Sequence, residues 1–232
     1  MKSQAAEVQT NSSSRGRPAE TQGGRTLRQK AYEEIKRRII TMEYRPGEYL
    51  NEARISKQLR AGRTPVHQAL HRLQLEQLVD IIPRKGVIVR AVSLDEIMNV
   101  THVRSVNEAL CVSLAARWAD KRDIASLRNI LDRAEEMIPA HDIEALMNLD
   151  HEFHCEISRI SRNPVLGNIL RSLHERSLRV WFLSLSVVRR LEDVHAEHEA
   201  IFAAIAAHDE KRAAQAARAH IEQFQKHIVL AV

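Results

Sequence analysis

No run of about 18 apolar residues occurs in the chain, so no transmembrane helix is expected. The N-terminus lacks the apolar core of a secretory signal, and the protein is read as cytoplasmic. Cysteine is scarce: Cys111 and Cys155 are the only two. Two distant thiols in a cytosolic chain are expected free and buried rather than bridged. There is no glycine-rich phosphate loop and no nucleophile motif. Large apolar residues are almost missing from residues 1–25, which are rich in Ser, Gln, Gly and Thr. Such a segment cannot bury enough surface to offset its own ordering entropy, and it is expected to be a disordered tail. No internal repeat is present, and beyond Ser93 no strand signal remains.

The chain's 232 residues, 44% hydrophobic and 28% charged, are enough for two globular domains. The net charge of +5 hides an asymmetry. Residues 26–92 carry 14 Lys/Arg against 7 Asp/Glu, whereas residues 93–232 carry 17 against 21. A small basic unit beside a larger acidic one points to a polyanionic partner, although a solvated basic face would look the same by charge alone.

Within residues 26–92, Leu27, Ala31, Ile35 and Ile39 recur at helical spacing until Arg45-Pro46-Gly47 stops the helix. A second short helix is expected at about 52–60, facing inward through Ile55 and Leu59, followed by a tight turn at Ala61-Gly62. Thr64-Pro65 opens a third helix, with Pro where its missing N–H matters least and an apolar stripe of Val66, Leu70, Leu73 and Leu78. Two β-branched runs, Val79–Ile82 and Val87–Val89, flank Pro83-Arg84-Lys85-Gly86 and predict a hairpin with a basic tip. Three helices and a basic hairpin spell a winged helix-turn-helix DNA-binding domain.

In that motif the start of the recognition helix enters the major groove. Arg63 suits a bidentate pair with guanine, Thr64 suits a phosphate, and His67 and Gln68 suit base edges or phosphates. Arg84, Lys85 and Gly86 on the wing, with Arg54 on the second helix, complete the expected DNA-facing set.

Residues 93–232 read as an antiparallel bundle of six helices, at about 94–118, 122–138, 142–160, 165–187, 191–207 and 210–230. The fold class is therefore mainly α: a winged helix-turn-helix followed by an all-helical domain. Asp150 and His154 are four apart and leave one helix face together. His198 and His220 stand 11 residues before and after the turn at Asp209. In an antiparallel pair they meet at one height, about 16 Å from the turn. One carboxylate and three imidazoles suit Zn²⁺ or Ni²⁺ first, and Mn²⁺ or Fe²⁺ as well. Twelve histidines also allow chance alignments. His195 lies near the same face as His198 and is either an effector contact or a surface histidine; His151 points about 100° away from Asp150, and His141, His208 and His227 are read as solvated. From Ile97 to Ala116 the only charged residues are Arg104 and Glu108. Arg104 either bridges to Glu108 or enters the bundle cavity to clamp a carboxylate that also coordinates the metal.

The stretch from Leu50-Asn51-Glu52 through Gly62-Arg63-Thr64-Pro65-Val66-His67-Gln68-Ala69-Leu70, then Arg72-Leu73, Leu78-Val79 and Pro83-Arg84-Lys85-Gly86, resembles the N-terminal domain of GntR-family regulators. The second half resembles the FCD effector domain of the FadR branch, closest to its compact VanR-like subgroup. The resemblance covers residues 26–232. Where the family reads Ser-Arg-Thr-Pro-Val-Arg-Glu, this chain has Gly62, His67 and Gln68 in place of Ser, the second Arg and Glu, and Arg60 stands where a turn glycine is common. These departures bear on the operator sequence; His67 should weaken one phosphate or guanine contact unless Arg60 compensates. Asp150-His151-Glu152-Phe153-His154 is similar to the Asp-x-x-Phe-His motif of metal-binding FCD domains, and His198 and His220 are similar to their other two ligands. Arg104, in an Arg-x-x-x-Glu context, resembles an arginine that implies small organic acids as effectors.

The expected function is a ligand-responsive transcriptional regulator: a homodimer, joined mainly through the helical domain, on an inverted-repeat operator in double-stranded DNA. Two alternatives stay open. The ion itself could be the signal, or the Asp/His site could serve a metal-dependent enzyme. No general base beyond the ligands supports the enzyme, and an enzyme has no need of a basic winged helix.

Overall fold

The computed structural model describes residues 26–91, 93–188 and 191–231. The expected tail over residues 1–25 and the expected break at Arg189-Arg190 lie outside the described residues.

Helix α1 (Leu27–Ile40) starts at Thr26, whose side chain accepts from the Gln29 N–H at 3.2 Å. It buries Ala31, Tyr32, Ile35 and Ile39, while Leu27, first in the expected stripe, is half exposed. Strand β1 (Tyr49–Leu50) leads into α2 (Glu52–Gln58), capped by Asn51, which accepts from the Arg54 N–H at 3.0 Å. Arg60 then turns the chain with φ +48°, the left-handed region that glycine usually supplies. Helix α3 (Arg63–Leu75) follows and buries Val66, Ala69, Leu70 and Leu73.

Strands β2 (Val79–Ile82) and β3 (Gly86–Val89) form the hairpin, and β1 pairs with β3, so the antiparallel sheet runs β1-β3-β2. The two-residue β1 is too short to leave any alternation in the sequence. At the hairpin tip Arg84 (φ +63°) and Gly86 (φ +105°) both take left-handed backbone. One apolar core joins α1, α2, α3 and the sheet around Ile35, Ile39, Leu70 and Leu78.

The second unit contains α4 (Leu94–Trp118), α5 (Lys121–Met137), α6 (Ile143–Ile160), α7 (Pro164–Val188), α8 (Leu191–Ala206) and α9 (Glu210–Ala231). These match the six expected helices to within about two residues at each end. Ser93 caps α4, and Asp120 with Asp123 forms a reciprocal capping box on α5. The core has two parts. One is built around Leu127, Phe153, Ile157 and Ile201; the other joins Ile97, Val180, Trp181 and Phe224.

The two units meet on α1 and α7. Ile40 packs against the second bundle cluster. Lys36 of α1 lies 3.1 Å from Glu175 of α7 and 3.0 Å from Glu76 at the end of α3. Arg179, buried on α7, donates to the Arg90 carbonyl, and Arg176 pairs with Glu96 at 2.7 Å. Cys111 is free and buried, whereas Cys155, also free, is only half-buried beside His151.

Candidate metal centre and DNA-reading surface

Helix α3 sorts its residues by face. With Val66, Ala69, Leu70 and Leu73 turned inward, Arg63, Thr64, His67 and Gln68 are left exposed in one patch. Its cap residue Gly62 offers no side chain to the first N–H groups, which leaves them available to an anion. Arg54 on α2 and Arg84, Lys85 and Gly86 at the hairpin tip are exposed as well. His67 is not alone: its Nδ1 lies 3.3 Å from Glu52 and its Nε2 3.1 Å from the Nε2 of His71.

The second site lies inside the bundle. α6 supplies Asp150 and His154, α8 supplies His198 and α9 supplies His220. One ligand nitrogen from each of His154, His198 and His220 lies within 4.8 Å of the others. Asp150 Oδ1 stands 3.4 Å from His198 Nε2 and 3.8 Å from His154 Nε2. The equal spacing of His198 and His220 from the α8–α9 turn is realised as a ring separation of 4.9 Å. All four expected ligands therefore converge. The surroundings orient them: Glu197 lies 2.8 Å from His220 Nδ1, which leaves the opposite ring nitrogen of His220 for the centre.

Electrostatics prepares the imidazoles to act as ligands. Burial drives the pKa values of His154 and His198 well below the ordinary histidine value, aided by neighbouring His220, so both rings stay neutral. Neutral imidazole is the metal-binding form. Without a cation, burial pushes Asp150 up to about 7, against the pull of His220 and Arg104. The Nε2 atoms of His154 and His198 are buried with no hydrogen-bond partner. Such orphaned nitrogens beside a desolvated carboxylate are costly unless something binds them, so the donor set fits a divalent cation.

Arg104 adopts the bridge: its Nε and Nη2 both reach Glu108 Oε1 at 2.8 Å, and the pair is buried. Its guanidinium also lines a narrow cleft with Asp150, His174 and His220. His195 is mostly buried rather than a surface residue, lies 3.5 Å from Glu199, and has a buried Nδ1 without a hydrogen-bond partner. The roomier space lies elsewhere. A cavity of about 290 Å³ between α4, α6 and α7 is lined by Glu108, His154 and His174 from the centre and by Cys155, Asn168 and Arg171 further out.

Sequence reasoning missed His174. It is buried, lies 3.6 Å from Asp150 Oδ2 through Nε2, and has both ring nitrogens unpartnered. Its signal was there to read: Leu170, His174, Ser177 and Trp181 fall on one helical stripe, and all four are buried. Glu197 and His71 were missed too, because a residue that orients another leaves no motif of its own. Among the solvated readings, His141 is exposed, His208 is exposed but bonds the Ala116 carbonyl at 2.9 Å, and His227 is half-buried and bonds the Gln223 carbonyl.

The family model for bacterial regulatory proteins of the gntR family matches residues 27–89, and that for the FCD domain matches residues 99–223. The chain is 32% identical to the Nta operon transcriptional regulator of Aminobacter aminovorans, over 79% of this chain and 86% of that protein. It is 29% identical to the HTH-type transcriptional repressor GlaR of Escherichia coli K12, over 82% of this chain and 90% of that protein. Its fold is similar to that of E. coli McbR/YncC, with a TM-score of 0.79 at 20% identity over 89% of this chain and 99% of that one. These relatives are named as transcriptional regulators, not enzymes. Among the described residues no helix is long and apolar enough to cross a membrane.

Proposed function

The chain belongs to the GntR family of bacterial regulatory proteins, in the branch that carries an FCD domain, and from this we propose that its bundle holds a divalent metal ion and a small carboxylate effector that together set how it binds operator DNA. The chain is a DNA-binding transcriptional regulator; the metal and the effector are the step beyond. The observation that carries them is the pair of buried, unpartnered Nε2 atoms of His154 and His198 aimed beside Asp150. Asp150, His154, His198 and His220 would hold the ion, with Zn²⁺ or Ni²⁺ favoured by three imidazoles. The bound ion would supply a positive centre and open coordination positions for a carboxylate.

Arg104 lines a cleft with Asp150 and His220, and engaging an effector there means sharing it with Glu108. The cavity of about 290 Å³ beside His154 and His174 favours an organic effector over the ion alone as the signal, because an ion needs no such space. On the DNA side, Arg63 reads bases while Thr64, Lys85 and Arg84 meet phosphates.

The protein acts as a homodimer in this reading. Val103, Val106 and Leu110 on α4 and Val165 and Ile169 on the adjacent α7 are all at least 43% exposed. A contiguous apolar surface of this kind on a helical pair suits a two-fold interface. Thermal denaturation of the metal-loaded protein against a panel of small carboxylates tests the effector: one that binds the native state raises Tm, and the rise grows with the logarithm of its concentration above Kd. If every carboxylate leaves Tm unchanged while added metal alone alters operator affinity, the ion is the signal.

A further inference from the structure

We propose that His67 and His71 form a separate two-imidazole transition-metal site on the DNA-reading face of α3, and that an ion held there excludes the operator. The two residues are four apart on the exposed side of the helix, one turn above the other. Their Nε2 atoms are 3.1 Å apart. Two imidazole nitrogens bound at 2.0–2.1 Å to one ion stand about 3.3 Å apart in a tetrahedral site and about 2.9 Å in an octahedral one. The observed separation lies between these, so the two nitrogens are spaced for one ion.

A third residue orients it. Glu52 of α2 lies 3.3 Å from His67 Nδ1, which makes that nitrogen the donor and leaves His67 Nε2 with a free lone pair. In the metal-free pair the His71 Nε2–H donates to that lone pair; an ion takes its place when His71 shifts its proton to Nδ1. A carboxylate behind a ligating histidine is the arrangement that strengthens metal sites generally. Arg72, next to His71 in the chain, is turned away, since it stacks 3.6 Å over the Tyr32 ring and pairs with Glu76, whereas Arg63, one turn before His67, shares the exposed face. A guanidinium at position 67 could not ligate, whereas the imidazole found there can.

Competition with DNA follows from size. An α-helix with its side chains is about 10–12 Å across, and the major groove is about 12 Å wide. An ion that keeps waters on its remaining positions, held on the outward face of α3, leaves no room for that helix in the groove.

The test uses the full chain, saturated at the bundle site and dialysed, with Ni²⁺ as the probe and a duplex selected by the protein itself. Calorimetry should find one further Ni²⁺ per chain in the wild type and none in His71→Ala, with Glu52→Gln weakening it by up to about tenfold. At Ni²⁺ about ten times its own dissociation constant, the operator Kd of the wild-type dimer should rise by about a hundredfold, roughly tenfold for each of its two recognition helices, and recover on adding a chelator. The readout is the ratio of Kd with and without Ni²⁺ within each protein, which should return to about one in His71→Ala. His154→Ala/His198→Ala should keep the wild-type ratio, which separates this site from the bundle site. The proposal is overturned if Ni²⁺ leaves operator binding unchanged or tightens it, or if His71→Ala responds as the wild type does.

Discussion

Glu175→Gln tests whether the bundle and the DNA-binding domain are coupled through α7. His174 faces the candidate metal centre, and the next residue, Glu175, grips Lys36 of α1 at 3.1 Å. Lys36 in turn holds Glu76, the residue that ends the recognition helix, at 3.0 Å. Burial opposes the charge on Lys36, yet Glu175, Tyr32 and Glu76 hold its pKa above the ordinary lysine value, so it is a cation between two carboxylates. At 3.1 Å and an effective dielectric near 20 the attraction to Glu175 is about 5 kcal/mol before desolvation. The side chains are only 14% and 18% exposed. Desolvation therefore removes most of that energy and leaves about 1–2 kcal/mol. A double-mutant cycle of Glu175→Gln and Lys36→Met, read by denaturant unfolding, should return a coupling of that size. Metal content should stay at the wild-type value, while the ratio of operator affinities with and without effector falls by about fivefold or more. A coupling below about 0.3 kcal/mol, or an intact effector response in both variants, would refute the pathway.

Other perturbations separate the remaining parts. Arg63→Ala should cost about 1–3 kcal/mol on the preferred operator and little on scrambled duplex, whereas Lys85→Ala should weaken both alike and flatten the salt dependence; paired titrations at several salt concentrations distinguish them. Arg104→Ala strands a buried carboxylate and should destabilise the bundle by about 3–5 kcal/mol. Arg104→Leu/Glu108→Leu should regain much of that stability in denaturant titrations without regaining the Tm response to carboxylates. Leu110→Glu places a charge in the exposed α4 stripe and should yield a monomer by sedimentation, with loss of the two-fold contribution to operator binding.

The helices were legible because their burial is periodic. Ile35 and Ile39, or Val66, Leu70 and Leu73, are fully buried where spacing put them. The convergence of Asp150, His154, His198 and His220 was legible for the same reason: an i, i+4 pair and two residues equidistant from a turn need only helix geometry to meet. Arg60 was legible as a departure, and it adopts the left-handed backbone that its position requires. The contact of Lys36 with Glu175 was not readable, since it depends on how α1 docks against α7, and no local pattern encodes the docking of two domains. Arg104 admitted two readings from sequence because its partner Glu108 and the cavity lie on the same side of α4.

The most direct test of the account is the metal content of the purified full chain after dialysis, measured by mass spectrometry for the wild type and for His154→Ala/His198→Ala. Dialysis empties weak surface sites, while an ion held by Asp150, His154, His198 and His220 should stay. One ion per chain in the wild type and none in the double variant, with loss of the carboxylate response but retention of basal DNA binding, is the expected result. A double variant that keeps a full ion per chain would contradict the assignment of the site to Asp150, His154, His198 and His220.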